Sequence, residues 1–406
     1  MTTLRTVLKA AGIACLGLGL TQTAHAAPGT DTGANRYDKS ALHQRLKGLR
    51  AAGATGVAIE VKGPAGTYRN KAGYANFTTR RAAKTTDRYH VASVTKSMVA
   101  TLVLKEIAAG NWTAETRIHD VYPNLYPGAG NVTVGDLLSH RSGMPNHTEV
   151  MSRELAGQEW WARRWYDTRL ISYARQDSFF SAPGARARYS NTGYVVLGKM
   201  LEKQNGGKSL AGLLHHRVFK PAGMTNSRLS RSPRFAASGL LEYITYGGRT
   251  ERTDVNPSVF SGSGGVESTT QDVDRFYKAL FTGKLLPPAQ LDSMMTARST
   301  SGSLSGYGWG IYAINGPCGV LYGHDGASFG TRNYAFSTPD GRTQVNLAWT
   351  NRTYDRNPDP IDAAANELLL EALDQNCGSS VGSGRRRAPV PVAPLPNIDA
   401  QHAPNG

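Results

Sequence analysis

The chain has 406 residues, 45 of them glycine, with a formal net charge of +16, enough for a large core in one elaborate domain or in two. A basic excess of this size suits adhesion to an anionic polymer such as nucleic acid or a cell wall. Zinc-finger spacing, a helix-turn-helix pattern and aromatic-interleaved basic stretches are missing, which argues against nucleic acid and for a basic exported surface.

Residues 1–26 read as a secretory signal. Arg5 and Lys9 form a basic start, residues 10–20 are mostly apolar and small, and Ala24-His25-Ala26 offers a cleavage site. The apolar run is too short to span a membrane. Gly12-Ile13-Ala14 ahead of Cys15 fits a lipid-anchor signal poorly, so the expectation is a soluble, secreted protein with no transmembrane anchor. Cys318 and Cys377 then remain, and an even pair in an exported chain predicts one disulfide, with two free thiols as the plain alternative. Closing that loop of about 60 residues is worth about 4 kcal/mol in the chain-entropy model.

After a polar start (27–36), residues 40–52 fit a short amphipathic helix. Residues 55–61 and 67–75 fit two strands on either side of the turn Gly63-Pro64-Ala65-Gly66. Tyr89-His90-Val91-Ala92 then leads to Ser93 and a helix running to about Ala109, with an apolar stripe of Met98, Val99, Leu102, Val103 and Ile107. Ser93 and Lys96 are three apart and share one face of that helix. A serine hydroxyl is a poor nucleophile until a base takes its proton, and a desolvated lysine of lowered pKa can be that base. The free N–H groups of the first helical turn can also stabilise an oxyanion. Ser-x-x-Lys alone is common by chance, so its weight depends on the rest of the chain.

Thr133 and Asp136 form helix-capping chemistry ahead of Leu137-Leu138-Ser139-His140. His140 has no evident partner in that stretch and is read as structural. Trp160, Trp161, Trp165 and Tyr166 form either a wall over a site or plain packing. Tyr189-Ser190-Asn191 opens helices near 192–204 and 208–218. Residues 226–262 look irregular, of the kind that forms binding rims, and a helix is expected over 271–281. From residue 307 the period changes to two: Tyr307–Ile314, Val320–His324, Arg332–Ser337 and Gln344–Thr350 are strand candidates, followed by a helix over about 361–374.

Strands at both ends with helices between them predict an α/β (α+β) fold, an antiparallel sheet built from both termini and flanked by helices, with an inserted mostly helical region. The expected organisation is a signal at 1–26 and a single catalytic unit at 27–377. Its sheet part covers about 37–96 and 300–377, and its helical part about 97–299. A Gly/Ser-rich, basic and Pro-rich tail at 378–406 is expected to be disordered.

Three pieces now stand together: Ser93-x-x-Lys96, Tyr189-x-Asn191 and His324-x-Gly326. With TTDRYHVASVTKS, LLSHRSG, APGARARYSNTGY, STTQD, YGWG and GHDG, they make the chain resemble the serine penicillin-recognising family over about residues 35–377. That family includes class C β-lactamases, low-molecular-mass D,D-peptidases, D-aminopeptidases and related esterases. The resemblance is strongest to the secreted D-alanyl-D-alanine carboxypeptidases of actinomycetes, which also fits the placement of Cys318 and Cys377.

The resemblance implies that Ser93 is acylated, that Lys96 and Tyr189 share the proton traffic, and that Asn191 holds Lys96 and the acyl-side amide of a substrate. The N–H groups of Ser93 and Ala327 would form the oxyanion hole, the latter on the edge strand. His324 would shape the electrostatics of the Tyr189 proton path, and Gly326 would allow close backbone approach. The family's carboxypeptidases bind a terminal carboxylate with two hydroxyl residues and an arginine. Those positions are Asp325, Ala327 and Tyr312 here, so all three anion-binding contributions are missing. An aspartate there repels a carboxylate if it faces the cleft, and is merely structural if it points elsewhere.

The leading expectation is a D-alanyl-D-alanine carboxypeptidase-type serine hydrolase acting on D-amino-acid peptides or peptidoglycan stem peptides and acylated by β-lactams. The alternatives are a D-stereospecific aminopeptidase, amidase or esterase that needs no free carboxylate, a β-lactamase, and a catalytically silent penicillin-binding or wall-binding protein. No cofactor or metal is expected, and the protein is expected to be a monomer associated with the wall through its charge.

Overall fold

The computed structural model describes residues 37–299, 304, 306–356 and 358–377. The expected signal, Cys15 and the tail at 378–406 lie outside the described residues. The strands in chain order are β1 (Gly56–Gly63), β2 (Gly66–Asn76), β3 (Arg81–Ala82), β4 (Tyr89–His90), β5 (Arg228–Leu229), β6 (Tyr243–Tyr246) and β7 (Arg249–Arg252). They continue with β8 (Val266–Ser268), β9 (Tyr312–Gly316), β10 (Gly319–Ala327), β11 (Thr331–Ser337), β12 (Gln344–Thr350) and β13 (Arg352–Thr353).

The main sheet has the order β3-β2-β1-β12-β11-β10-β9 and is antiparallel throughout, so it is assembled from both ends of the chain, as expected. The central pairing of β1 with β12 puts Val57 opposite Trp349 and Ile59 opposite Leu347. The period of two then sorts side chains by size. Val57, Ile59, Tyr334, Phe336, Leu347 and Trp349 share one core with Leu42, Leu46, Leu368 and Leu369 of the terminal helices Lys39–Ala51 and Pro360–Cys377. The other face carries Ala58, Ala335 and Ala348, which join the larger core of the inserted helices. Alanines on that face let the helix Thr270–Phe281 lie close against the sheet.

The helix after the Ser93 motif, Thr95–Ala108, is buried on nearly all sides rather than along one stripe. Gly310, at φ +76°, explains part of this: a Cβ there would sit 2.6 Å from the Ala100 Cβ and 2.9 Å from the Lys96 carbonyl oxygen. The Ser97 hydroxyl donates to the Gly310 carbonyl at 2.7 Å across the same contact. The expected strand 307–314 is shortened for this reason; it begins at Tyr312, after the chain has bent onto the helix.

Two further differences have local causes. Within 226–262, read as irregular, β6 and β7 form a hairpin whose two turn residues, Gly247 and Gly248, have φ of 56° and 75°. That is the two-residue geometry whose twist matches paired strands. The helix expected at 208–218 is Leu210–Leu214 followed by a π-helical turn, His215–Phe219.

Cys318 and Cys377 are joined, with Cα atoms 5.0 Å apart, tying the β9–β10 turn to the end of the last helix. Cys377→Ser should lower the unfolding free energy by about 2–4 kcal/mol in denaturant titration. Its rate per active Ser93 should stay within about twofold of the parent, because neither cysteine touches the site.

Candidate active site

Ser93 lies in a 3₁₀ turn, Ala92–Val94, that precedes the helix Thr95–Ala108. Ala92 holds φ +45°, a conformation that non-glycine residues rarely adopt, so the chain spends strain to present Ser93. Ser93 is half-buried, whereas Lys96, one turn on, has no exposed surface.

The Lys96 Nζ is 3.1 Å from Ser93 Oγ, 2.8 Å from Asn191 Oδ1 and 2.8 Å from the Ser263 carbonyl oxygen. Burial pushes its pKa well below that of an ordinary lysine, and the nearby Asp325 offsets this only in part. A neutral amine has two hydrogens and one lone pair. The two carbonyl oxygens accept the hydrogens, which leaves the lone pair for the Ser93 hydroxyl proton. Asn191 cannot flip, because its Nδ2 donates to Thr148 Oγ1 at 3.2 Å. Its backbone N–H donates to Asn146 Oδ1 at 3.1 Å, which anchors the start of the helix Asn191–Gln204.

Tyr189 donates its phenol proton to Ser93 Oγ at 2.8 Å, and its ring lies 4.6 Å under Lys96 Nζ. Burial raises the Tyr189 pKa well above 10, with the Ser93 hydrogen bond opposing, so the phenol keeps its proton at neutral pH. Behind it, the His140 ring packs at 4.2 Å. The Ser190 N–H donates to His140 Nδ1 at 3.2 Å, which places the ring hydrogen on Nε2, facing Tyr307 Oη at 3.1 Å. Burial, then the neighbouring Lys96 and His324, push His140 well below 6.5, so it is a neutral support for Tyr189.

His324 is buried, with Nε2 3.1 Å from the same Tyr307 hydroxyl and Nδ1 2.5 Å from the Asp325 carbonyl oxygen. Its hydrogen-bonded route to the Tyr189 side therefore runs through Tyr307 and His140. Asp325 is 3% exposed, and its Oδ1 accepts the Tyr312 hydroxyl at 2.9 Å while Oδ2 has no hydrogen-bond partner among the described residues. Two of the three positions that were expected to lack anion-binding groups thus engage each other.

Gly326 permits the approach expected of it: a Cβ there would lie 2.3 Å from the Val91 carbonyl oxygen. Ala327 closes β10. That strand is one in from the edge, but β9 pairs with it only as far as Gly323, so 324–327 form an edge locally. The Ser328 N–H bonds the Thr331 carbonyl at 2.8 Å, so in the alternating antiparallel ladder the pair Ala327/Arg332 is a non-hydrogen-bonded one. The Ala327 N–H therefore points outward from β11. The Ser93 turn packs against β10.

Trp160 and Trp165 are buried, and Trp161 lies on Phe329 at 5.2 Å, so the tryptophan stretch packs two residues beyond Ala327. Sequence reasoning missed Tyr307 and the Ser263 carbonyl. YGWG marked the first as part of a motif without giving it a partner. The second acts through its backbone and leaves no side-chain signature.

The Beta-lactamase family model matches residues 39–371. The chain belongs to this family. It is 28% identical to Penicillin-binding protein 4* of Bacillus subtilis over 67% of this chain and 62% of that one. It is 24% identical to a D-aminopeptidase of Cereibacter sphaeroides over 74% of this chain and 56% of that one. The chain thus spans only about three fifths of the length of these Beta-lactamase-family relatives. Among solved structures it is similar to a D-stereospecific amidohydrolase from Streptomyces sp., at 25% identity and a TM-score of 0.71 over 80% of this chain and 98% of that one. The fold also matches the D-amino acid amidase of Ochrobactrum anthropi, at 23% identity and a TM-score of 0.75 over 84% of this chain and 99% of that one.

If Lys96 is the base, the acylation rate should rise with pH through an apparent pKa well below 10.5. It should then hold on the alkaline side while Tyr189, raised above 10, keeps its proton. Lys96→Ala should slow acylation by about 10²–10⁴-fold. Stopped-flow acylation between pH 5 and 10 measures both, and a near-normal rate in the variant would refute the assignment.

Proposed function

We propose that this protein is a serine hydrolase that forms an acyl-enzyme at Ser93 and cleaves amide or ester bonds beside a D-residue without requiring a free C-terminal carboxylate. The single observation that carries the reading is the Tyr312–Asp325 hydrogen bond at 2.9 Å. It puts a buried carboxylate where the expected carboxypeptidase would hold an arginine and a hydroxyl. By the resemblance a terminal carboxylate would take an arginine and a hydroxyl at these two positions; here they are engaged with each other, and the buried Asp325 adds like charge rather than opposite charge nearby. The D-amidohydrolase and D-aminopeptidase names among the relatives support the same choice.

The chemistry follows from the hydrogen bonds. Ser93 Oγ attacks the carbonyl carbon as its proton passes to Lys96 Nζ, and the developing oxyanion takes the N–H groups of Ser93 and Ala327. Tyr189 gives its proton to the leaving nitrogen or oxygen, and the resulting phenolate is balanced by the ammonium of Lys96 above its ring. Water then attacks the acyl-enzyme, its proton returning to Tyr189, while Lys96 returns the first proton to Ser93 Oγ. A β-lactam carbonyl would acylate Ser93 by the same route. Export and retention on an anionic wall belong to this proposal, supported by residues 1–26 and the net charge of +16.

The test compares a D-Ala-D-Ala-terminated peptide as free acid, amide and methyl ester. The amide and ester should be cleaved at least about tenfold faster than the acid, because the carboxylate meets like charge and no arginine at these positions. Faster cleavage of the free acid would restore a carboxypeptidase and overturn the reading of Asp325. Asp325→Thr combined with Ala327→Thr should move the preference toward the free acid; an unchanged ratio of the three rates would mean that these positions do not face the substrate terminus.

A further inference from the structure

The two N–H groups assigned to the oxyanion come from segments far apart in sequence, and their spacing must be held by something. The Ser93 turn packs directly on β10. Gly326 lies against the Val91 carbonyl oxygen, and Asn333 Nδ2 donates to that oxygen at 3.2 Å. On the far side of both segments stands Glu242, 3% exposed, at the entry to β6. Its Oε1 is 2.6 Å from His90 Nδ1, three residues before Ser93. Its Oε2 accepts the Ser328 hydroxyl at 2.9 Å and the Gly330 N–H at 2.8 Å, one and three residues after Ala327. One carboxylate therefore bridges the strand that delivers Ser93 and the turn that follows Ala327, an oxygen for each.

Glu242 is itself fixed. The Leu240 N–H donates to the Arg88 carbonyl at 2.7 Å, the Leu241 N–H to the Ala75 carbonyl at 2.8 Å, and the Thr253 N–H to the carbonyl of Glu242 at 3.0 Å. The turn it grips is equally confined: a Cβ on Gly330 would lie 2.6 Å from the Tyr243 backbone nitrogen and 2.8 Å from the Glu242 Cβ. A buried carboxylate with three donors is strongly held, because removing one partner leaves the others unsatisfied in a dry site. A fully hydrogen-bonded charge at this place fixes a distance, which an apolar filler could not do.

We propose that Glu242 is a positioning residue that sets the separation of the Ser93 and Ala327 amides, acting on oxyanion stabilisation without touching substrate. The inference rests on the acyl-enzyme assignment to Ser93 but on neither the D-residue nor the choice of leaving group. Losing a whole oxyanion donor costs about 10²–10³ in rate, so misplacing one should cost about 10–100-fold. In Glu242→Met the side chain keeps its length but offers no oxygen to either side, so both grips are lost while the volume is nearly kept; in Glu242→Gln the amide NH₂ could donate to His90 Nδ1 in its other tautomer and keep both.

The experiment uses a fluorophosphonate, which needs only an activated Ser93 and a formed oxyanion hole. The Ser93 Oγ–P bond forms, the P–F bond breaks, fluoride leaves, the serine proton passes to Lys96, and the phosphoryl oxygen occupies the hole. Labelling of the parent, with none in Ser93→Ala, fixes the baseline independently of any peptide preference.

In Glu242→Met the maximal labelling rate per titrated site should fall about 10–100-fold, with half-saturation within about threefold, at a temperature where the variant is fully folded. Ser328→Ala, which removes one donor and leaves the carboxylate in place, should fall by less. The double variant should be no slower than Glu242→Met alone, since both changes break one bridge. If Glu242→Met does not fold, Ser328→Ala carries the test by itself. Variants that melt earlier but label at the parent rate, or whose only change is in half-saturation, would overturn the proposal.

Discussion

The site depends on keeping one amine dry. Lys96 has no exposed surface, and an ammonium there would lose its hydration for three hydrogen bonds, none of them to a carboxylate. The neutral form fits the same surroundings better, with two carbonyl acceptors for two N–H groups and a hydroxyl for the lone pair. Much of the architecture can be read as the means of holding those three oxygens. The strained turn at Ala92 places Ser93, Asn146 and Thr148 orient Asn191, and the 3₁₀ turn Ser261–Ser263 delivers a backbone carbonyl. Gly310 lets a loop press on the helix that carries Lys96, which excludes water from its other side.

The same constraint explains which parts of the molecule could be read from sequence. Strands of the main sheet were legible because each face has one kind of neighbour, so Val57, Ile59, Leu347 and Trp349 alternate with small residues without interruption. Ser93, Lys96, Tyr189 and Asn191 were legible because their chemistry lives in side chains at short, fixed spacings. Ser263 was not, since any residue offers a carbonyl. The helix Thr95–Ala108 looked striped because its buried polar residues, Thr95, Lys96, Ser97, Thr101 and Glu106, read as a solvent face. The β6–β7 hairpin was missed even though Gly247-Gly248 is a turn signal, because its strands are short and their residues, such as Arg249 and Arg252, are largely exposed. Local chemistry was present there, but the hydrophobic alternation that usually announces a strand was not.

His140 shows how a residue without a partner in its own stretch acquires one in space. Its φ of +58° ends the helix Val134–Leu138 and swings the ring back against Tyr189. Once the Ser190 N–H occupies Nδ1, the hydrogen on Nε2 points at Tyr307 Oη, and the Tyr307 proton is free to face His324 Nε2. His324 then donates from Nδ1 to the Asp325 carbonyl oxygen. Each donor in this row has one acceptor, and the row runs from the backbone beside Tyr189 to the backbone of Asp325. The tautomers of both histidines follow from that order rather than from either residue alone.

Asp325 is therefore held from two sides by different parts of itself. Its carbonyl ends the row that braces Tyr189, and its carboxylate takes the Tyr312 hydroxyl. Tyr312 stands at the start of β9, where the sheet edge turns away from β10, and it packs on Tyr307 at 6.1 Å and on His324 at 5.3 Å. Against the carboxypeptidase pattern that the resemblance implies, tyrosine and aspartate at these two positions are thus more than the absence of a positive charge. The two new residues complete each other in the place of the old pair, and the aspartate's carbonyl joins the brace behind the catalytic tyrosine. On the proposed reading, specificity and proton transfer share one short stretch of β10. A change at residue 325 should be felt first as a change in which substrate terminus is accepted and second, through His324 and Tyr307, in how firmly Tyr189 is placed.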